Sequence, residues 1–318
     1  VVGVGIATYF IIKPDIFRLS LRDQSRCLQE DEITEHELID KKDAEDSAIV
    51  TIKNTVTRVE KHRFTLSLSS ATHYHPLELH RCGVYALRAF NYDYRRGRVM
   101  PEYRTELWVY DFRGDGKRLM ILNKSEQGFF NSDFRIDPNE KYLVLEKGFA
   151  GSSDGVYDIV FKDLGTMGDV FVLPVSDIWE KYPYTIPGSS VGFFQGWTKD
   201  GRYFWADFFG GAPVFGYIRI DTQTWTYELF EAPPDTLGGD QLNIETGWLS
   251  GQPGDVWIAV SEDSEEEKAR RRAEGIGTEL HIYNLFTKER RFVASTTEPL
   301  WNFRAKWISD TELEYEFP

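Results

Sequence analysis

From about residue 48 to the C-terminus, apolar and polar positions alternate with a period of two. AIVTI (48–52), FTLSLS (64–69), VYALRAF (84–90), LWVYDF (107–112) and YLVLE (142–146) all follow it. Successive side chains of a strand point to opposite faces, so this pattern predicts half-buried β-strands. No amphipathic helix of 12 or more residues interrupts it. The exception to the strand pattern is SEDSEEEKARRRAE, where Glu266–Arg270 and Glu267–Arg271 are spaced for i,i+4 pairing on a polar helical turn.

The strands recur as two alternating kinds of hairpin. One spans 106–122, 158–174, 215–230 and 279–294: an apolar strand, a turn rich in Asp, Gly, Thr or Lys, and a second strand. The other spans 132–148, 193–208, 245–261 and 303–318. Two hairpins per unit make four antiparallel strands, and four-stranded units repeated radially are the blades of a β-propeller. The predicted fold class is therefore all-β, a β-propeller of four-stranded blades.

The final hairpin lacks a partner hairpin, whereas 48–69 supplies two strands with no leading hairpin. We expect these N-terminal strands to complete the last blade. The first whole blade then runs from about 72 to 122, giving five blades. Further strands within 13–80 would make six. Closure of this kind removes free sheet edges.

Ahead of the strands lie two other segments. Residues 13–47 are dense in acid between Glu30 and Asp46, with a weak helical stripe of Leu28, Ile33, Leu38 and Ile39, and read as an acidic stalk or short helix. Residues 1–12, VVGVGIATYFII, carry no charge. Twelve helical residues span about 18 Å, short of the roughly 20 residues a bilayer needs. Because the chain does not begin with Met, we read the run as the end of a transmembrane or signal-anchor segment, a buried strand being the alternative. The expected location is membrane-anchored and extracytoplasmic, either periplasmic or at the cell surface.

The 318 residues carry a net charge of −14, which opposes nucleic acid as a partner. Aromatics make up 15% of the chain, in keeping with strands. The two cysteines, Cys27 and Cys82, would form one disulfide in an oxidising compartment or stay as two buried thiols.

Candidate chemistry is sparse. Gly151-Ser152-Ser153-Asp154-Gly155 matches G-x-S-x-G but sits between strands, with no helix to form the nucleophile elbow. His73, His75 and His80 cluster near Glu78, but Pro76 breaks the strand, and no metal is expected. Asp111, Asp115 and Asp221 fall in or beside turns, where Asp accepts backbone N–H groups. No P-loop or dinucleotide fingerprint occurs, so no cofactor is expected, and no catalytic residue can be named.

One turn carries a family resemblance. Trp197-Thr198-Lys199-Asp200-Gly201-Arg202 resembles the repeat of TolB-type propellers, with Ile136–Lys141 and Trp307–Asp310 as degenerate copies. Leu107–Asp111 and Leu280–Asn284 look like that family's third strand. The resemblance covers roughly 80–318 and implies a fold rather than an activity.

Connections between hairpins are longer than turns within them: 94–104, 148–155, 175–192, 231–245, 262–278 and 295–302. In such blades they emerge on one face, the expected binding face. It would present Phe129, Phe130, Trp179, Tyr182, Tyr184 and Trp301, with Arg95, Arg96, Arg98 and 270–272 nearby, to a protein, peptide or carbohydrate. The expected role is a binding or interaction module of the cell envelope. The alternatives are a glycan- or peptide-acting hydrolase or lyase with carboxylates in the channel, and a structural envelope subunit.

Overall fold

The computed structural model describes residues 27–39, 47–67, 77–93, 98–122, 129–148, 157–181, 190–209, 214–231, 257–261, 265–298, 301, 303–307 and 312–317. These form antiparallel sheets in chain order. The first has order β1 (Glu32–Ile39), β2 (Ser47–Asn54), β3 (Glu60–Ser67). The second is β4 (Leu77–His80), β5 (Gly83–Asp93), β6 (Arg98–Tyr110), β7 (Gly116–Leu122). The third is β8 (Phe129–Ile136), β9 (Tyr142–Gly148), β10 (Tyr157–Asp163), β11 (Asp169–Leu173), followed by α1 (Val175–Lys181). The fourth is β12 (Ser190–Trp197), β13 (Tyr203–Phe209), β14 (Val214–Asp221), β15 (Thr226–Glu231). The fifth contains β16 (Trp257–Ser261), then α2 (Glu265–Glu274), β17 (Glu279–Asn284) and β18 (Arg290–Ser295). Last comes the pair β19 (Lys306–Trp307) and β20 (Leu313–Glu314).

The protein is thus all-β, with three complete four-stranded meanders. Each expected hairpin of the first kind is present, as β6–β7, β10–β11, β14–β15 and β17–β18. Those of the second kind appear as β8–β9, β12–β13 and β19–β20, while of 245–261 the part 245–256 lies outside the described residues.

Consecutive sheets pack face to face, and the core lies between them. Val84, Ala86 and Tyr110 meet Ala48, Val50 and Leu66 of the first sheet. Leu87 and Leu107 meet Phe134, Leu143 and Leu145. Phe161 and Ile159 meet Phe194, Trp197 and Phe204, with Phe161 edge-on to both Trp197 and Phe204. Trp205 and Tyr217 meet Ile258 and Tyr283, and Ala259 and Leu280 meet Phe303 and Ala305.

The turns explain why these hairpins close. Asn54, Asp163, Asp221 and Asn284 each end a strand and accept N–H bonds from the next residues on their Oδ1. Four residues on, Arg58, Met167, Trp225 and Lys288 hold φ between 56° and 62° and donate N–H back to the same residue's carbonyl. A Thr stands at the third position each time: Thr57, Thr166, Thr224 and Thr287. An Asx side chain that satisfies the turn's own amides makes the reversal locally encoded.

Two expectations are corrected. Residues 32–39 are neither helix nor stalk but strand β1, paired residue for residue with β2 from Glu32↔Asn54 to Ile39↔Ser47. Lys53 and Arg58 neutralise Glu35, and Lys61 pairs with Asp31 and Glu32, so the acidic pattern faces basic neighbours rather than water alone. Second, among the described residues neither β2 nor β3 pairs with 303–317. β1 occupies the β2 edge that closure required, and β19 pairs with β20.

Residues 1–12 lie outside the described residues. Among the described ones, no helix is long and apolar enough to cross a membrane.

Candidate functional site

A cavity of about 450 Å³ lies where the first strands of three successive sheets end. β4 supplies Leu77, Glu78, Leu79 and His80, with Arg81 following. β8 supplies Arg135 and Ile136, with Pro138 following. β12 supplies Gly196 and Trp197.

Each wall has a local reason for its shape. Asp137, buried at 1% exposure, gathers the turn after β8: Oδ1 accepts the N–H groups of Lys141 and Tyr142, and Oδ2 that of Asn139. Gly196 sits where the β12–β13 register shifts, at φ 117°, a conformation closed to residues with a Cβ. The following turn needs Gly201 at φ 73°, where a Cβ would lie 2.5 Å from Asn139 Nδ2. The best copy of the repeat named above, Trp197–Arg202, is thus both blade turn and cavity wall.

The polar groups converge on Glu78. Its Oε2 accepts the Ile136 N–H at 2.8 Å and lies 3.2 Å from His80 Nε2. Its Oε1 is 3.6 Å from Arg135 Nε. Arg135, 5% exposed, also donates to the carbonyls of Phe134 and Phe194, tying the third sheet to the fourth. Glu78 therefore belongs to β4, bonds to β8, and through Arg135 reaches β12.

Behind His80, its ring meets Tyr85 edge-on at 5.4 Å, and Tyr85 Oη donates to Glu140 at 3.4 Å. Burial pushes the Glu140 carboxyl up, against the charge of His80 and the Cys82 N–H. Burial, reinforced by Glu140, likewise pushes the Tyr85 phenol up. Trp197 is 3% exposed, and its indole N–H has no hydrogen-bond partner.

Beside this cavity Cys27 and Cys82 form a disulfide. It joins the segment entering β1 to the β4–β5 turn, where Leu28 also donates its N–H to the Arg81 carbonyl.

The residues expected to bind are distributed differently. Phe129 and Phe130 begin β8 and Trp179 lies in α1, which puts all three at the end of the sheets opposite the cavity; their side chains are outside the described residues. Tyr182, Tyr184, Arg95 and Arg96 are wholly outside them. Trp301 packs on the Phe303 cluster and donates its indole N–H to the Glu316 carbonyl at 2.9 Å, so it pins the C-terminal segment. Arg270 pairs with Glu274, and Arg271, 2% exposed, donates to the Gly277 carbonyl. The connection at 94–104 is mostly strand: β5 and β6 continue to Asp93↔Arg98, leaving four residues between them. His73, His75 and 151–155 lie outside the described residues, among which no group of three metal-ligating side chains occurs. Asp111 and Asp221 do serve their turns, accepting Arg113 N–H and Gln223 N–H.

Sequence reasoning passed over Glu78 as a cavity residue. Its one visible signal was Glu78-x-His80, two polar residues on one face of a short strand.

No protein-family model and no curated protein sequence matches the chain. Among solved structures it resembles the β-propeller domain of the Trilobed protease from Pyrococcus furiosus, at 10% identity and TM-score 0.44, over 91% of this chain and 74% of that one. It also resembles an oligogalacturonate lyase from Vibrio parahaemolyticus, at 9% identity and TM-score 0.40, over 91% and 97%. A third is the periplasmic gluconolactonase of Pseudomonas aeruginosa, at 8% identity and TM-score 0.41, over 89% and 85%.

Proposed function

We propose that this chain is an extracytoplasmic, membrane-anchored β-propeller of the TolB-like kind. We propose further that it binds the end of a neutral saccharide in the cavity around Glu78. The single observation that carries the binding reading is internal charge compensation. Glu78 is matched by Arg135, His80 and the Ile136 N–H within the cavity wall. Glu78 and Arg135 offset one another, so the wall offers fixed donors and acceptors that suit hydroxyl groups, while Arg81, also on the wall, is exposed, and Trp197 adds an apolar surface. A volume of about 450 Å³ holds one or two sugar rings.

A glycoside hydrolase needs two carboxyl groups facing one bond. Among the described residues Glu78 is the one carboxylate on the cavity wall, and Asp137 is committed to its turn. A carbohydrate-binding module therefore accounts for the arrangement better than a hydrolase. The location rests on the apolar run at 1–12 and on the Cys27–Cys82 disulfide, a bond that persists in oxidising compartments. We retain six sheet units for the blade count, since β1 adds a strand that the five-blade closure does not use.

The test is calorimetric titration of the oxidised protein with glucose, galactose, mannose, N-acetylglucosamine, cellobiose and maltose. We expect at least one to bind, and Glu78→Gln to weaken it tenfold or more. If none binds, or the variant binds equally well, the reading falls.

A further inference from the structure

The cavity's walls are not equally anchored. β8 and β12 have eight residues each and lie in sheets whose turns are sewn to their neighbours. Asn139 Nδ2 donates to the Asp200 carbonyl, Leu164 N–H to that of Lys141, and Thr222 N–H to that of Arg202. β4 has half that length and, like β8 with β9 and β12 with β13, one partner among the described strands, β5, which it meets over four residue pairs. Yet β4 and the residue after it supply Glu78, His80 and Arg81, most of the cavity's charge.

What holds the far end of this short strand is the disulfide. Cys82 follows Arg81 directly, and Cys27 belongs to a segment fixed to the first sheet. Gln29 N–H donates to Glu32 Oε2, and Lys61 of β3 bonds both Asp31 and Glu32. The first sheet thus grips the β4–β5 turn through one covalent bond and one N–H, that of Leu28, while Leu77 and Leu79 of β4 pack in the core the two sheets share. Cys82 N–H in turn bonds Glu140, so the turn also reaches the group behind His80.

We propose that the Cys27–Cys82 disulfide is a redox control on the cavity. A dithiol reductant attacks it by thiol–disulfide exchange. The reductant's two sulfurs end joined to each other, and Cys27 and Cys82 end as thiols carrying its two protons and two electrons. β4 then keeps four residue pairs with β5, the Glu78–Ile136 bond and the packing of Leu77 and Leu79, while its end is held by the Leu28 and Cys82 N–H bonds alone, a looser hold that lets Glu78 and His80 shift against Arg135. This inference rests on the cavity being the working site, but the link itself is mechanical and is measured without a ligand.

The chain has two cysteines, so dithiothreitol acts on this bond alone. Hydrogen exchange is followed in the oxidised protein, in the dithiothreitol-treated protein with its thiols counted, and in the Cys27→Ser/Cys82→Ser variant. We expect amides of 77–85 and Ile136 to accelerate at least tenfold more than those of 203–208 in both altered forms. Equal acceleration in the two regions, no acceleration, or a bond that dithiothreitol leaves intact in the folded protein overturns the proposal. If no saccharide binds the oxidised protein, the functional reading fails separately, and the exchange result still decides the mechanical link.

Discussion

At the residue scale, the buried acids divide by what surrounds them. Glu106, 1% exposed, gives up its water, but hydrogen bonds from Arg104, Trp108 and Arg118 outweigh that loss and hold its carboxyl below the ordinary range. Glu140 is the opposite case: burial outweighs its partners and raises its pKa above the ordinary 4.5. A carboxyl with a raised folded-state pKa contributes stability below its unfolded value, and that contribution is lost as pH rises through the folded value. Glu140→Gln removes the penalty of the charged form. We expect the variant to melt above the wild type at pH 7 and to lose that advantage at pH 4, as read by paired thermal melts. Equal melting temperatures at both values would show that His80 and the Cys82 N–H fully offset the burial. None of this was legible in the sequence. Glu140 stands in Pro138-Asn139-Glu140-Lys141, an ordinary exposed-looking turn, and its burial comes from Tyr85, 55 residues away.

At the scale of elements, far more was legible, because hairpins are local. Three of the four hairpins read from the sequence, 158–174, 215–230 and 279–294, carry an Asx at the strand end with a Thr three residues later, and β2–β3 closes by the same turn. What failed was β1. Its sequence, EITEHELI, lacks a clean alternation, and its strand character depends on Lys53, Arg58 and Lys61, which only pairing brings near. The cavity failed for the same reason: it is assembled from three strand ends far apart in sequence. The turns carry a small reserve of strain, since an L-residue in the left-handed region costs about 1 kcal/mol. Lys288, exposed and at φ 62°, has no packing to lose. Lys288→Gly should therefore raise unfolding stability by up to about 1 kcal/mol in urea titrations. The same change at Trp225, which stacks on Phe171 and meets Phe161 and Tyr142 edge-on, should lower it.

At the scale of the whole molecule, the first sheet begins with an edge strand, β1. Among the described residues its second edge has no strand beside it. An unpaired edge is a template on which another chain can add a strand. Here it is lined with carboxylates. The Gln29 N–H and Lys61 hold Glu32 below the ordinary carboxylate range, and Lys53 does the same for Glu35. Both therefore stay ionised to lower pH than a free glutamate, and Glu37 stands exposed beside them. The consequence is colloidal rather than structural. The acids of this edge, in excess over Lys53, Arg58 and Lys61, set like charge against like charge when two molecules meet edge to edge. When acid discharges Glu32 and Glu35, at a pH below the ordinary glutamate range, light scattering should report association, and Glu37→Lys, which puts a permanent charge there, should suppress it.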